Sequence, residues 1–323
     1  MQEMSMELSF APMEGVTYAA FRRSHARLFG GADKYYAPFI APNGDGSYKT
    51  GNRRDILPEH NDGITLIPQI LCNAPEPFLL VAKELAAMGY DEVNLNAGCP
   101  SGTVVSKFKG SGMLRDLENL EHCLDVIFSR CPLKVSVKTR MGVHSTEEFA
   151  AIMEVYRKFP LTLLTVHARD RDGMYKSSPD HESFEKALDN CPFPVEYNGN
   201  VFSAKDAKDI SSRFPGVDKL MIGRGAIADP SLLRRIKGGA ALSAEELRIF
   251  HDELLEEYLI SGLDPHHAIP RMKELWSYFR FKFPGEDKNI KNIFKSKNMP
   301  DYKNAVSFLF SSGNFDTDGE FSW

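Results

Sequence analysis

No stretch of this sequence approaches the eighteen or so consecutive apolar residues that a membrane-spanning helix needs, so no transmembrane segment is expected. Cysteine is scarce. The five present, at 72, 99, 123, 131 and 191, are odd in number and form no CxxC pair. Neither a disulfide framework nor a metal site is therefore expected, and Cys72, Cys123, Cys131 and Cys191 read as small buried hydrophobes. Met1-Gln2-Glu3-Met4 lacks the basic and apolar regions of a secretion signal, which together with reduced thiols points to the cytoplasm. No GxGxxG follows the first β-prone run, which disfavours a doubly wound dinucleotide-binding sheet. Charge of either sign is nearly balanced. Thirty-nine Lys and Arg against 44 Asp and Glu leave a net charge of −5, which taken alone argues mildly against a nucleic-acid partner.

What remains is an ordinary globular composition, 42% hydrophobic and 26% charged. At 323 residues it suits one large domain with a smaller appendage, and nothing in it demands more than a monomer. Short β-prone runs recur at 8–11, 34–39, 65–70, 92–96, 134–138, 162–167, 194–197 and 219–222. Helical patterns lie between them at 75–88, 117–130, 146–158 and 204–213. Eight strands alternating with helices predict an α/β fold, a (β/α)8 TIM barrel. The segment 41–61, polar and Gly-rich, reads as a loop insertion. Alternation stops near Ile236–Gly239, and helical patterns at 244–260, 266–282, 288–295 and 300–310 predict a small C-terminal α-helical bundle. The expected division is therefore a barrel over 1–238, a helical domain over 239–313 and a loose acidic tail over 314–323.

In barrel enzymes the chemistry sits at the C-terminal ends of the strands, and polar residues stand at nearly all of them here. The first strand runs into Pro12-Met13-Glu14, the third ends at Gln69, and the fourth leads through Asn96 to Gly98-Cys99-Pro100. Lys138 and Arg140, His167 and Arg169, Asn198-Gly199-Asn200, and Gly223-Arg224-Gly225 complete the ring. Glycines after the last two strands, with Arg224, suit a phosphate, because backbone N–H groups can approach an anion closely there. Lys138 at the end of an apolar strand calls for an anionic partner. Cys99, aimed by the restriction that Pro100 imposes, could serve as proton donor or as nucleophile, and spacing does not choose between them.

Taken in order, the segments APMEGVT (11–17), PQI (68–70), NLNAGCPS (94–101), GSGMLRD (110–116), VSVKTRMG (135–142), VHARDRDGMY (166–175), NGNVFS (198–203) and IGRGA (222–226) resemble the flavin-dependent tRNA-dihydrouridine synthase family. HAIPRMKELWSYFRFKF (267–283) resembles its RNA-binding bundle, nearest the bacterial branch that acts at D-loop position sixteen. The resemblance implies FMN as cofactor, NADPH as reductant and tRNA as partner. It implies Pro12, Met13 and Glu14 beside the isoalloxazine, Gln69 and Lys138 on its polar edge, and His167 next to the ring. Asn198, Gly199, Asn200, Gly223 and Arg224 would hold the phosphate, Cys99 would be the proton donor, and Asn96 would meet the target uracil. Arg140 and Arg169 would bind base or phosphate. The loop 104–109 departs from the family pattern, with a bulky Phe108 between Lys107 and Lys109. An FMN barrel oxidoreductase acting on a small molecule of the dihydroorotate or dihydropyrimidine type, and a non-catalytic tRNA-binding module, are the alternatives.

The helical segment sharpens the charge argument. Residues 271–303 carry nine basic and four acidic side chains, +5, whereas 244–270 carry one Arg and seven acids, −6. Met272, Leu275, Trp276 and Phe279 fall at helical spacing and read as core, while Arg271, Lys273, Arg280 and Lys282 flank them as candidate RNA contacts. The pairs at 22–23, 53–54 and 234–235 read as solvated surface.

Overall fold

A computed structural model of the chain describes residues 6–175, 177–189, 191–319 and 321; the reading of residues 1–4 lies outside them. Nine parallel strands form one sheet: β1 (Glu7–Phe10), β2 (Lys34–Tyr36), β3 (Leu66–Ile67), β4 (Gln69–Ile70), β5 (Glu92–Ala97), β6 (Lys134–Gly142), β7 (Leu164–Asp170), β8 (Val195–Asn198) and β9 (Lys219–Ile222). Their order is β3-β2-β1-β9-β8-β7-β6-β5-β4. The third predicted strand is split at Pro68, which has no N–H to offer a ladder. Its halves reach opposite ways, β3 pairing with β2 and β4 with β5, while the Pro68 carbonyl accepts from Asn94 N at 2.9 Å. The interrupted strand thus joins the two ends of the sheet and makes it a barrel.

β6 and β7 run further than the pattern suggests, through pairings Arg140↔His167 and Gly142↔Asp170 with a register shift between them. Lys138 and His167 are therefore inside strands rather than at their ends. The segment 41–61 is not all loop either: it contains the helix Thr50–Asp55 and a 3-10 turn, Pro58–His60. Arg22 organises it. This residue is fully buried, against the expectation of a solvated pair, because its planar fork serves four acceptors at once. It donates to Thr17 O at 2.7 Å, to Asp55 O at 2.7 Å and to Asn61 Oδ1 at 2.8 Å, and it pairs with the Asp55 carboxylate at 3.1 Å. Cys72 and Cys123 are buried as expected, whereas Cys131 and Cys191 are only half-buried.

Beyond the barrel lie helices Ala244–Ile260, Pro265–Phe279, Asp287–Lys295 and Met299–Ser312. The first begins with a capping box between Ser243 and Glu246 and packs on the barrel helix Ala19–Leu28. There Phe250 meets Phe21 and Phe29 edge-on, with ring centroids 5.3 and 5.2 Å apart. Glu253 and Glu257 pair with Arg27 and Arg23 at the same contact, and Glu246 pairs with Arg234. Much of the acidic stretch is thus neutralised against the barrel. Met272, Leu275, Trp276 and Phe279 are core residues, as predicted.

Lys282 is a correction. Far from facing RNA, it is 2% exposed and donates to Asp229 Oδ2 at 3.1 Å and Thr317 O at 2.7 Å, because its stem follows Phe279 and Phe281 into the junction between barrel and helices. The segment after 313 is not loose: Asp316 N bonds Lys282 O, Asp318 pairs with Arg235, and Phe321 packs against Phe202 and Phe281. Residues 320, 322 and 323 of that segment lie outside the described ones. No described helix is long and apolar enough to cross a membrane.

Candidate active site at the barrel mouth

Alternate residues of a strand share a face, so Asn94 and Asn96 of β5 point the same way, and with Gln69 of β4 they form a relay of amides. Asn94 Nδ2 donates to Ser136 Oγ at 3.0 Å, Gln69 Nε2 to Asn94 Oδ1 at 2.8 Å, and Asn96 Nδ2 to Gln69 Oε1 at 2.7 Å. Asn96 Oδ1 then accepts the backbone N–H groups of Gly98 and Cys99 at 3.0 and 2.9 Å. The relay fixes the turn that presents the Cys99 thiol. Asn96 keeps only one amide N–H for any other partner, and Gln69 one N–H and one lone pair.

The chain returns to the same point twelve residues later. Ser111 donates its N–H and its hydroxyl to Cys99 O at 3.1 and 3.0 Å. Gly110 has φ +57°, and a Cβ there would lie 2.7 Å from Cys99 O, so glycine is the residue this approach allows. Cys99 is half-buried. Burial pushes its thiol pKa up, outweighing the hydrogen bond from the Ser101 backbone and the nearby Arg140 and Lys138. The sulfur is a protonated thiol at neutral pH.

Four cations converge around His167, and two of them, Arg140 and Lys138, also act on the thiol. Lys138 Nζ donates to Asn198 Oδ1 at 2.9 Å, and burial, then repulsion from Arg140, pushes its pKa down to about 8. Arg169 donates to Ser177 O at 2.6 Å, to His167 Nε2 at 3.0 Å and to Asn200 Oδ1 at 3.0 Å. Burial and the adjacent Arg224 lower its pKa to about 10. Arg224 shares Asn200 Oδ1 at 3.1 Å. Arg140 donates to Gly98 O at 3.1 Å, Asp170 O at 2.7 Å and Met174 O at 3.0 Å. None of the four forms an ion pair with a carboxylate among the described residues. Arg140 and Arg169 are each 1% exposed, so most of their donors serve loop carbonyls and neighbouring side chains. They hold the strand-end loops in place. Because guanidinium only donates, His167 Nε2 must accept, and its imidazole is neutral with the proton on Nδ1. Burial and the surrounding cations hold its pKa well below the usual range.

Tyr175 was not anticipated. Its ring, half-exposed, lies 4.8 Å from the Arg224 guanidinium carbon and 5.5 Å from that of Arg140, and 6.0 Å from the His167 ring. The signal was an aromatic closing the run Arg169-Asp170-Arg171-Asp172-Gly173, but nothing in the sequence folds that turn back over two arginines.

The glycines of the last two loops have distinct reasons. A Cβ on Gly199 would lie 2.1 Å from the Tyr197 hydroxyl, and one on Gly225 2.1 Å from Val201 O, so both are demanded by packing within the protein. One on Gly223 would meet Ala11 Cβ at 3.3 Å and Met13 Sδ at 3.5 Å, which brings the loop after β9 against the one after β1. In that first loop Met13 N bonds Thr17 Oγ1 at 2.8 Å, and Pro12 is half-buried before it. Glu14 accepts from the Tyr18 hydroxyl at 3.1 Å, and burial raises its pKa. Glu14 and Tyr18 open a cleft of about 690 Å³ that runs to the helices, where Arg271 stands over the rings of Tyr18 and Tyr258 at 5.3 and 5.6 Å. Of the other two helical candidates, Lys273 donates to Ser296 O at 2.5 Å, and Arg280 is exposed over Phe281. Lys288, Lys291, Lys295, Lys297 and Lys303 are exposed too, and none of these five pairs with a described carboxylate.

The family model described as dihydrouridine synthase matches residues 9–258. A protein of Ralstonia nicotianae named tRNA-dihydrouridine(16) synthase is 30% identical over 290 residues, covering 86% of this chain and 88% of that one. A tRNA-dihydrouridine synthase B of Shewanella oneidensis is 28% identical over 236 residues, 73% of this chain and 72% of the other. Among solved structures, the old yellow enzyme homologue of Zymomonas mobilis superposes with a TM-score of 0.55 at 12% identity, covering 74% of this chain and 90% of that one. Likeness at that identity is a likeness of fold.

Proposed function

Because the chain belongs to the dihydrouridine synthase family, we propose that it reduces a uridine of tRNA to 5,6-dihydrouridine with FMN as cofactor and NADPH as electron source. The observation that carries this reading is the cluster of Lys138, Arg140, Arg169 and Arg224 around a neutral His167, with no paired carboxylate, beside a protonated thiol. Buried positive charge needs an anion, and a flavin mononucleotide brings a phosphate and an electron-rich ring. The donor set fits that group. Asn198, Gly199, Asn200, Gly223 and Arg224 would hold the phosphate, and Lys138 and Gln69 the polar edge of the ring. His167 and the Pro12–Glu14 turn would flank it.

When bound, the flavin supplies a hydride to C6 of the uracil. Cys99 supplies the proton to C5, so the C5=C6 double bond becomes single and NADPH with one proton is consumed. A thiol that burial keeps protonated is suited to that donor role and not to nucleophilic attack. Asn96 has one amide N–H to offer the uracil, and its main part is to hold the Cys99 turn. Arg140 and Arg169 position loops and His167. The uridine must leave the tRNA stack to reach this site, and the cleft lined by Glu14, Tyr18 and Arg271 is the approach to it.

We take residues 239–313 as the tRNA-binding domain, with Arg271 at the cleft and Lys273, Arg280 and the exposed lysines beyond. The name of the Ralstonia relative, which aligns with most of the chain, supports position sixteen as the target. An enzyme acting on tRNA would work in the cytoplasm. The reading is tested by incubating purified protein with NADPH and unmodified tRNA and digesting the product. It predicts dihydrouridine formed in proportion to NADPH consumed; steady NADPH oxidation without that nucleoside would refute it.

The basic helical surface gives a second measurable consequence. Each phosphate contact releases counterions, so log Kd should rise steeply with log salt, and neutralising Lys291, Lys295 and Lys297 should reduce the slope by about 0.7–0.9 for each lysine that touches a phosphate. A filter-binding series from low to moderate salt measures it. A triple variant with the wild-type slope would remove this surface from the interface.

A further inference from the structure

The loop that leaves Cys99 and returns to it carries a residue the reaction does not explain. Phe108 has φ +53°, a conformation that a bulky L residue avoids. Its ring is 54% exposed, so packing does not repay that strain. The backbone around it is nonetheless well held. Phe108 N bonds Val105 O at 3.0 Å, Lys109 N bonds Val104 O at 3.2 Å, and Asn73 Nδ2 holds Lys107 O at 3.0 Å. Val105 anchors the turn, 2% exposed. Gly110, two residues on, lies against the Cys99 backbone. The ring is therefore presented to solvent on a tethered loop whose two ends meet at the candidate proton donor. Lysines stand on both sides of it. The Lys107 side chain is exposed and forms no ion pair with a described residue, and Lys109 Nζ reaches only the Pro42 carbonyl, at 3.4 Å.

We infer that Phe108 is a stacking platform for an unpaired base of the tRNA next to the reduced uridine, with Lys107 and Lys109 meeting the phosphates on either side. An exposed aromatic between two cations, held in strain, matches the way proteins grip single-stranded nucleic acid: a ring for the base face and positive charge for the backbone. Strain that buys no packing is a mark of functional loops. The inference rests on the tRNA reading above and adds to it a contact outside the reaction centre.

Phe108→Gly tests it, since glycine accepts φ +53° and the folded state loses strain along with the ring. Base stacking on an aromatic is worth about 1–3 kcal/mol, so Kd for unmodified tRNA should rise about 5- to 150-fold in Phe108→Gly. Phe108→Trp should keep it near the wild-type value. A blunt RNA duplex, which offers no unpaired base, should bind both proteins alike. Equal tRNA affinity of Phe108→Gly and wild type, or an equal loss with the duplex, would overturn the platform. So would a Phe108→Gly effect confined to self-association in sedimentation. If wild type bound no tRNA, the function itself would fall with it; if wild type bound and reduced tRNA while Phe108→Gly matched it, only the platform would.

Discussion

In Cys99→Ala, dihydrouridine formation is expected to fall by about 10²–10⁴-fold, the range that a positioned proton donor contributes. Bound flavin and its reduction by NADPH should survive, because no described hydrogen bond of the phosphate and ring-edge residues passes through the sulfur. The amide relay ending at the Cys99 N–H is a backbone contact that alanine retains, so the turn should keep its shape. The same reasoning sets the pH response. Burial raises the thiol pKa, so the donor stays protonated through neutrality, and its loss should give an alkaline limb above the value of an ordinary thiol, beyond the one that Lys138 contributes near 8. Cys99→Ala should lack that alkaline limb. Anaerobic reduction of the flavin, followed by single-turnover oxidation with tRNA at several pH values, separates the two halves. Full product formation by Cys99→Ala would remove the thiol from the chemistry.

The second large effect concerns the seam between barrel and helices. Asp229 and Lys282 are 4% and 2% exposed, and Arg235 joins the same carboxylate at 2.8 Å. Burial alone would raise the Asp229 pKa; Lys282 and the hydrogen bonds from Ser231, Lys282 and Arg235 more than offset it and hold it below the usual value. Asp229→Ala leaves the Lys282 ammonium buried without its counter-charge, which costs about 3–5 kcal/mol. Urea unfolding at neutral pH should show that loss. The pH dependence has a definite sign. A depressed carboxyl pKa contributes stability above its unfolded value, near 3.9, and that stability is lost as pH falls through the folded one. The gap between wild type and Asp229→Ala should therefore narrow in acid. An unchanged urea midpoint in Asp229→Ala would show that the seam does not depend on this pair.

Much of this was legible in the sequence, for reasons that can be stated residue by residue. Alternation of β-prone runs with helical periodicity gave the barrel, since each strand is buried on both faces and reads as an apolar run. The helical patterns at 204–213 and 244–260 begin where expected, because the Ser203 and Ser243 hydroxyls before them cap orphan N–H groups. Pro68 split a strand for a reason visible in its chemistry, yet only the closed barrel shows that the two halves pair with different neighbours. Polar residues at strand ends foretold the mouth, but side-chain partners did not follow from position. Arg140 serves carbonyls 30 to 42 residues away, Arg169 reaches the Asn200 side chain 31 residues on, Arg22 is buried through Asp55 and Asn61, and Lys282 through Asp229. Each of these is a long-range pairing that local pattern does not encode. Tyr175 stayed hidden for the same reason, and Phe108, visible only as a departure from the family pattern, takes its meaning from where its turn folds.

Net charge shows the same limit. A total of −5 conceals a helical segment in which three of seven acids, Glu246, Glu253 and Glu257, are tied to barrel arginines, while Lys288, Lys291, Lys295, Lys297 and Lys303 face outward.

The central claim is that Cys99 and the cationic mouth together reduce a tRNA uridine, and mass mapping of one tRNA tests it most directly. Unmodified tRNA treated with the protein, NADPH and FMN should gain the mass of two hydrogen atoms at the uridine of position sixteen with wild type, and in the same time at most a trace of it with Cys99→Ala. A tRNA that gains no mass from wild type while the bound flavin is reduced would contradict the account.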